Sequence, residues 1–139
     1  MIILDTCVIS EPMKAQANPV VAAWLDRQEA ETLYLTATNL SELLTGIELL
    51  PQGRRKSGMA AAMQELLDRL FGTRFLDFDR EAAVAYALLV SRANSKGLAI
   101  SVADGQIAAI AAVHGFTVAT RDTAPFLAAG MPVVNPWVS

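Results

Sequence analysis

The first ten residues of the chain, MIILDTCVIS (residues 1–10), join an apolar run directly to a carboxylate. Met1 to Leu4 is typical of a short buried strand, and Asp5 and the hydroxyl of Thr6 follow it at once. A buried charge is costly unless something pairs with it or coordinates it. The stretch therefore predicts a strand whose carboxyl end meets a polar site, and the partner of Asp5 has to come from the rest of the chain.

Strands and helices alternate along the whole sequence, as apolar periodicity and capping residues indicate. After the first strand, the patterns predict strands at 32–37, 74–78, 116–120 and 132–134. They predict a helix at 18–29 and a second helix that starts at Thr38 or Asn39 and is broken at 51–53. A longer helix follows the break and ends at about 71, and three more helices are predicted at 79–97, 101–115 and 122–129. Connections of this length suit parallel strands with right-handed crossovers. We expect a single α/β domain, residues 1–139, built as a three-layer α/β/α sandwich around a central parallel sheet.

The amino-acid composition indicates in which compartment the protein works and which kinds of partner it binds. Hydrophobic residues make up 53% of the chain and charged residues 18%. The net charge is −3, so the composition by itself does not indicate a nucleic-acid-binding protein. The single cysteine, Cys7, cannot form an internal disulfide, which suits a reducing compartment. The apolar runs are too short to cross a bilayer. We expect a cytoplasmic protein with no membrane partner, and a partner surface that uses part of the apolar excess.

Four acidic residues fall where the carboxyl ends of the predicted strands meet the helices that follow: Asp5, Glu42, Asp104 and Asp122. Each has a local explanation, since Asn39-x-x-Glu42 reads as a capping box and the others suit helix starts. Ligands of parallel sheets bind beyond the carboxyl ends of the strands, so we expect the four carboxylates at one edge.

Four converging carboxylates would repel one another unless a cation lay among them. Oxygen ligands without nearby histidine or cysteine favour Mg²⁺ or Mn²⁺ over zinc. Such a metal can activate water and neutralise charge on a phosphodiester, which predicts hydrolysis of a nucleic-acid backbone. Whether one ion or two would bind stays open.

These residues resemble those of the PIN-domain ribonucleases: Asp5-Thr6 after an apolar strand, Glu42, Asp104 in SVADGQIAA and Asp122 at the end of ATRD. The likeness is to the VapC-type toxins of bacterial toxin–antitoxin pairs, in particular the FitB-like branch, and it extends to NPW at 135–137. The resemblance implies that the four acids are the catalytic, metal-binding set. It implies Thr6 and Thr120 as polar supports. We assign Arg121 to the rim of the site as a phosphate contact.

The resemblance also implies an activity and partners. Members of the family are Mg²⁺- or Mn²⁺-dependent endoribonucleases, inhibited by a small antitoxin that also binds operator DNA, and many are homodimers. DNA would then be reached only through the antitoxin, and the RNA target and the antitoxin remain unidentified. Two positions depart from or vary within the pattern: Cys7 stands where many members have Asn, and Asp122 is Asp or Asn among members.

Other functions remain as alternatives. A catalytically silent binding module that represses its own operon through a DNA-binding antitoxin would keep the fold without the chemistry. A nucleophilic pair of Cys7 and His114 is disfavoured, because no protease-like sequence surrounds either residue. Aspartyl-phosphate chemistry of the haloacid-dehalogenase kind is disfavoured because it needs a second aspartate where Cys7 stands.

Two surface features have open roles. The basic run Arg54-Arg55-Lys56 is either a solvated helix start or a contact to phosphates. The helix that carries Glu42 has an apolar stripe, which we expect to lie mostly in the core: Leu40, Leu43, Leu44 and Ile47. Leu49 and Leu50 extend this stripe beyond one face, and we expect Trp24 and Leu25 to join them in an exposed groove. We expect an antitoxin helix to lie in that groove, with a cationic side chain near the acidic site.

Overall fold

The protein is described by a computed structural model that covers residues 1–138. Its centre is a five-stranded sheet in the order β3-β2-β1-β4-β5, and every neighbouring pair is parallel. The strands are β1 (Ile2–Leu4), β2 (Leu33–Thr36), β3 (Phe75–Leu76), β4 (Thr117–Ala119) and β5 (Val133–Val134). From β1 the chain builds β2 and β3 on one side and then crosses to β4 on the other. The strand order therefore reverses between β1 and β4, where open parallel sheets bind ligands.

Seven α-helices connect these strands within residues 1–138. They are α1 (Thr6–Ser10), α2 (Pro19–Asp26), α3 (Ala37–Glu48), α4 (Arg54–Phe71), α5 (Arg80–Ser95), α6 (Val102–His114) and α7 (Ala124–Ala128). Short 3-10 turns lie at Glu11–Met13, Ala30–Thr32 and Pro136–Val138. The alternation of strands and helices and the parallel sheet confirm the predicted fold class. In the described part of the chain, no helix combines the length and the apolar character that a membrane crossing requires.

Several predicted helix boundaries are confirmed by their caps. The side chain of Asn18 accepts a hydrogen bond from the Val20 amide, and Pro19 opens α2. Asp79 caps α5, and Ser101 caps α6 by accepting from the Asp104 amide at 3.1 Å. These residues leave the chain extended before the helix and satisfy amides that have no partner within it.

The predicted start of α3 is wrong. The cap is Thr36, the last residue of β2, whose hydroxyl accepts from the Asn39 amide at 3.0 Å, so the helix begins at Ala37. Thr36 has extended backbone angles, φ −83° and ψ 154°, and can end a strand and cap a helix at once. Asn39 lies inside the first turn, which frees its side chain for another contact. The five-residue helix α1 directly after Asp5 was not predicted either.

Two apolar clusters cover the two faces of the sheet, because successive strand residues point to opposite sides. Leu4 belongs to the cluster under α1 to α4, and Ile3 belongs to the cluster under α5 to α7. Trp24 and Leu25 are 5% and 9% exposed and lie in the first cluster. Their predicted place in an exposed groove is therefore wrong: α2 turns its apolar side to the sheet layer.

Helices α5 and α6 pack closely through a glycine. A Cβ atom at Gly105 would lie 2.7 Å from Cε2 of Tyr86 and 3.4 Å from Cγ2 of Val90. The tyrosine ring is in turn packed edge-on against Phe78, with centroids 5.9 Å apart. The lack of a side chain at Gly105 therefore sets how near α6, with its neighbouring Asp104, comes to α5.

Candidate acidic active site

Asp5 stands at the point where the strand order reverses. Its backbone amide donates to the carbonyl of Ala119 at 2.9 Å, which continues the pairing of β1 with β4. Its side chain then caps α1, because Oδ1 accepts from the amide of Thr6 at 2.8 Å. The carboxylate is therefore held between the end of a central strand and the start of a helix.

Two further side chains orient the Asp5 carboxylate. The hydroxyl of Thr120, a fully buried residue after β4, donates to Oδ2 at 2.7 Å. The amide Nδ2 of Asn39 donates to Oδ1 at 3.0 Å and lies 3.2 Å from Oγ1 of Thr6, to which it also donates. Short hydrogen bonds to a carboxylate are among the stronger ones in proteins, so this network holds the Asp5 carboxylate in one orientation.

Asn39 is the site residue that the sequence pattern did not single out. It is fully buried, and its Oδ1 accepts from the hydroxyl of Thr36 at 2.6 Å while its Nδ2 faces Asp5. The sequence favoured a capping role for it, whereas the cap is Thr36. A threonine at the end of a strand with an asparagine three residues later was the available signal, since that spacing points the amide toward the sheet edge.

Glu42 joins the site through Thr6. The Thr6 hydroxyl donates to Oε1 of Glu42 at 2.9 Å, so Asn39, Thr6 and Glu42 form a chain of donors and acceptors. Partial burial raises the pKa of Glu42, and the negative charges of Asp5 and Asp104 raise it further, against the lowering effect of the Thr6 hydrogen bond.

Asp104 lies in the first turn of α6, and its charge acts on Glu42. Burial raises its pKa, the charges of Asp5 and Asp122 add to the rise, and a hydrogen bond with Ser101 opposes it. The helices that carry Asp104 and Glu42 are also tied together, because the Thr38 hydroxyl of α3 donates to Oε1 of Gln106 in α6 at 3.0 Å.

The fold therefore brings the four sequence-predicted carboxylates into electrostatic contact. Asp5 and Glu42 share the Thr6 bridge, Asp104 interacts with both of them by charge, and exposed Asp122 interacts with Asp104. Glu42 and Asp122 are exposed, and Asp5 and Asp104 are partly buried.

A closed metal site is not formed by these side chains alone. Among residues 1–138, no three histidine, cysteine, aspartate or glutamate side chains meet in an arrangement that could hold an ion. The donor set nevertheless suits a hard divalent cation, because it consists of carboxylate oxygens. A nearby positive charge would also lower the raised pKa values of Glu42 and Asp104.

Cys7 and His114 do not form a nucleophilic pair. The Cys7 sulfur lies 3.9 Å from Oγ1 of Thr120 and 4.0 Å from Oδ2 of Asp5, and burial, with the Asp5 charge as a smaller cause, raises the pKa of the thiol. His114 ends α6, at the opposite end of that helix from Asp104, with its ring 5.4 Å from that of Phe116. A buried thiol with a raised pKa is a poor nucleophile, so Cys7 acts as a packing residue.

Arg121 has a local partner beside the acidic edge. Its guanidinium lies over the ring of Trp137, 5.2 Å from the centroid. This cation–π contact accounts for the tryptophan of the NPW stretch. Its role as a phosphate contact stays a prediction.

A groove of about 750 Å³ leads away from the acidic edge. Thr6 and Glu42 line it together with Leu43, Ile47 and Leu50 of the α3 region. Leu49 is 80% exposed and points elsewhere. Of the residues predicted to form a partner groove, Leu50 therefore lines this groove together with Leu43 and Ile47 of the α3 stripe. Trp24, Leu25 and Leu49 do not, and neither do Leu40 and Leu44 of the stripe.

Comparison with known proteins shows relatives that match this chain over almost its full length. A sequence model of the family described as PIN domain matches residues 2–130. VapC ribonuclease Y4jK of Sinorhizobium fredii is 49% identical over 138 residues, 99% of this chain and 98% of the relative. Toxin FitB of Neisseria gonorrhoeae is 46% identical over 137 residues, 99% of each chain.

A solved structure agrees with the sequence matches. The structure of FitAB bound to an IR36 DNA fragment contains a chain that superposes with a TM-score of 0.94 at 46% identity, covering 99% of this chain and 96% of the matched one.

Proposed function

The chain belongs to the PIN-domain family, and we propose that it is the toxin of a toxin–antitoxin pair, an endoribonuclease that hydrolyses RNA phosphodiester bonds. The family predicted from the sequence is thereby confirmed. The observation that carries the proposal is the acidic edge: Asp5, fixed by three donors, lies in electrostatic contact with Glu42 and Asp104 where the strand order reverses. Relatives of this chain are named as a ribonuclease and a toxin.

In this proposal Asp5, Glu42, Asp104 and Asp122 hold Mg²⁺ or Mn²⁺. The ion would supply charge neutralisation at the phosphodiester and a more acidic bound water. The other polar residues position these ligands: Thr120 and Asn39 orient Asp5, and Thr6 orients Glu42. Loss of a residue that orients a metal-binding side chain typically lowers metal affinity or activity by about 10- to 100-fold.

The proposed partners follow from the same family. A cognate small antitoxin inhibits the enzyme, and DNA is contacted through that antitoxin, as the FitAB structure bound to DNA suggests by analogy. A homodimer is the proposed oligomeric state, and residues 1–139 are proposed to form one domain.

The test is cleavage of mixed cellular RNA by antitoxin-free protein with Mg²⁺, with Mn²⁺ and with EDTA. Asp5→Asn and Asp104→Asn should each lower the rate at least about 100-fold, in line with the loss of a group that stabilises developing charge. Asp68→Asn, at an exposed position of α4, is the matched control and should keep the wild-type rate.

Cleavage that persists in EDTA and in both variants would come from a contaminating nuclease. A folded protein that binds Mn²⁺ but cuts no RNA would contradict the proposal for the RNA tested. Failure to bind any metal would favour the catalytically silent binding module instead.

A further inference from the structure

The groove beside the acidic site has two walls of different chemistry. Its apolar wall is rich in methionine, with Met13, Met59 and Met63 facing the same space as Leu50. Its volume of about 750 Å³ lies in the range of sites that hold an organic ligand. Methionine is flexible and polarisable, and its sulfur makes favourable contacts with aromatic rings. The wall therefore suits a flat ring such as a nucleobase.

Two cationic side chains line the same groove: Lys14, after the first 3-10 turn, and Arg55, in the first turn of α4. Lys14 is paired with Glu11, its Nζ lying 2.8 Å from Oε2, so part of its charge is compensated. Within residues 1–138 the Arg55 side chain has neither an ion pair nor a hydrogen-bond partner. Arg55 is therefore the cation that is available to an incoming anion.

The position of Arg55 is unfavourable for the helix that carries it. Arg54, Arg55 and Lys56 occupy the first turn of the 18-residue helix α4, which has no acidic residue there and no side-chain cap at Gly53. Cations at a helix N-terminus oppose the helix dipole. Lys56 has a local explanation, because its Nζ donates to the Glu48 carbonyl at 2.9 Å and to its carboxylate at 3.3 Å. Arg55 lacks one, and an anionic ligand in the groove would supply it.

We propose that this groove is the RNA-binding subsite next to the acidic residues, with one nucleobase against the methionine wall and a backbone phosphate at Arg55. The inference rests on the ribonuclease activity proposed above and identifies how its substrate is held. Thr6 and Glu42 line the same groove as Arg55, so a strand with one phosphate at Arg55 can bring a neighbouring phosphate to the acidic residues. A single strand is the form of RNA whose bases are free to enter such a groove.

The test compares Arg55→Gln with Arg54→Gln. The two variants lose the same charge from adjacent positions of one helix turn, but only Arg55 lines the groove. Binding of a labelled single-stranded RNA of mixed sequence is measured in EDTA at several salt concentrations, and cleavage is then measured with Mn²⁺. Arg55→Gln should weaken binding by about tenfold and lower the slope of log affinity against log salt by about 0.7, as expected for one lost phosphate contact on a single strand.

The cleavage kinetics separate positioning from chemistry. Arg55→Gln should raise KM and leave kcat near wild type, while Arg54→Gln changes neither. Met59→Ala should raise KM without a change in the salt slope, because it removes an apolar contact and no charge. Leu49→Ala, at an exposed apolar position outside the groove, is its matched control.

Two results would overturn the inference. If wild-type protein cuts RNA and Arg55→Gln behaves like Arg54→Gln in affinity, salt slope and KM, the groove does not bind RNA and is left to a protein partner such as the antitoxin. If wild-type protein neither binds nor cuts RNA, the proposed ribonuclease activity fails together with the subsite.

Discussion

Asn39 organises the acidic site through a single buried amide. Its Nδ2 donates to Asp5 and Thr6, and its Oδ1 accepts from Thr36. All its polar atoms are thus used within the fold, where burial excludes water. An asparagine can donate to carboxylates without adding charge, which an aspartate or a lysine could not do.

Asn39→Ala should lower the free energy of unfolding by about 1–3 kcal/mol, because Thr36 loses its acceptor and Asp5 loses a donor in a buried setting. Urea unfolding measures the change. Asn94→Ala, at an exposed position of α5, should stay within about 0.5 kcal/mol of wild type. Equal stabilities of the two variants would show that the amide network contributes nothing.

Glu42 should destabilise the metal-free fold at neutral pH. Its pKa is raised in the folded protein, chiefly by burial and then by the charges of Asp5 and Asp104. The folded state therefore holds this proton more tightly than the unfolded chain, and stability falls as pH rises from the ordinary carboxyl pKa through the raised one. Below that range the effect is absent.

Glu42→Gln should accordingly raise Tm in EDTA by a few degrees at about pH 7 and lose this advantage below about pH 4. Thermal unfolding at both pH values measures it. Glu65→Gln, at an exposed position of α4, is the control and should not show the same pH-dependent gain. A Glu42→Gln protein that is less stable than wild type at neutral pH would contradict the argument.

At the scale of elements, the site depends on how three helices begin. Asp5 caps α1, Thr36 caps α3 and Ser101 caps α6, and each helix start lies at the carboxyl edge of the sheet. The positive ends of these helices stabilise negative charge near them. The close packing of α6 on α5 at Gly105 then fixes the position of Asp104, the preceding residue.

Gly105→Ala should test that packing. The added methyl group would meet the Tyr86 ring at 2.7 Å, so overpacking of about 1–3 kcal/mol should exceed the gain of up to about 1 kcal/mol in helix propensity. Gly58→Ala, in α4 with nothing within 4 Å of the new methyl, should instead stabilise the protein by about 0.5–1 kcal/mol. Chemical denaturation of both variants gives the comparison, and a stabilised Gly105→Ala would refute the close-packing argument.

At the scale of the whole molecule, the acidic edge joins parts of the chain that are far apart in sequence. The four carboxylates lie after β1, in α3, in α6 and after β4. Their mutual repulsion therefore acts between segments that are far apart in the sequence. A cation bound among them would favour the folded state, because the unfolded chain does not bring the ligands together.

Mn²⁺ should therefore raise Tm in a saturable way, corresponding to about 2.7 kcal/mol when free Mn²⁺ is 100 times its Kd. Asp104→Asn should abolish most of this shift, while Asp68→Asn should keep it. Thermal unfolding across a Mn²⁺ titration measures the effect. An equal shift in both variants would mean that the ion binds elsewhere.

Local patterns in the sequence determined much of this protein. Apolar periodicity and the caps at Asn18, Asp79 and Ser101 predicted the helices that they start, and the alternation of elements predicted the parallel sheet. The resemblance carried by Asp5, Glu42 and Asp104 identified the family. These signals are readable because caps and periodicity depend on residues within one or two turns of each other.

Only the tertiary structure decided the rest, because those features depend on which distant residues become neighbours. Asn39 could be a cap or a ligand-orienting residue until Thr36 took the cap and turned the amide toward Asp5. Trp24 could be exposed or buried until α2 packed on the sheet layer. Arg54 and Arg55 are equivalent in sequence, and only the path of the groove past α4 distinguishes them. Contacts across a sheet are set by register and packing, which no local pattern encodes.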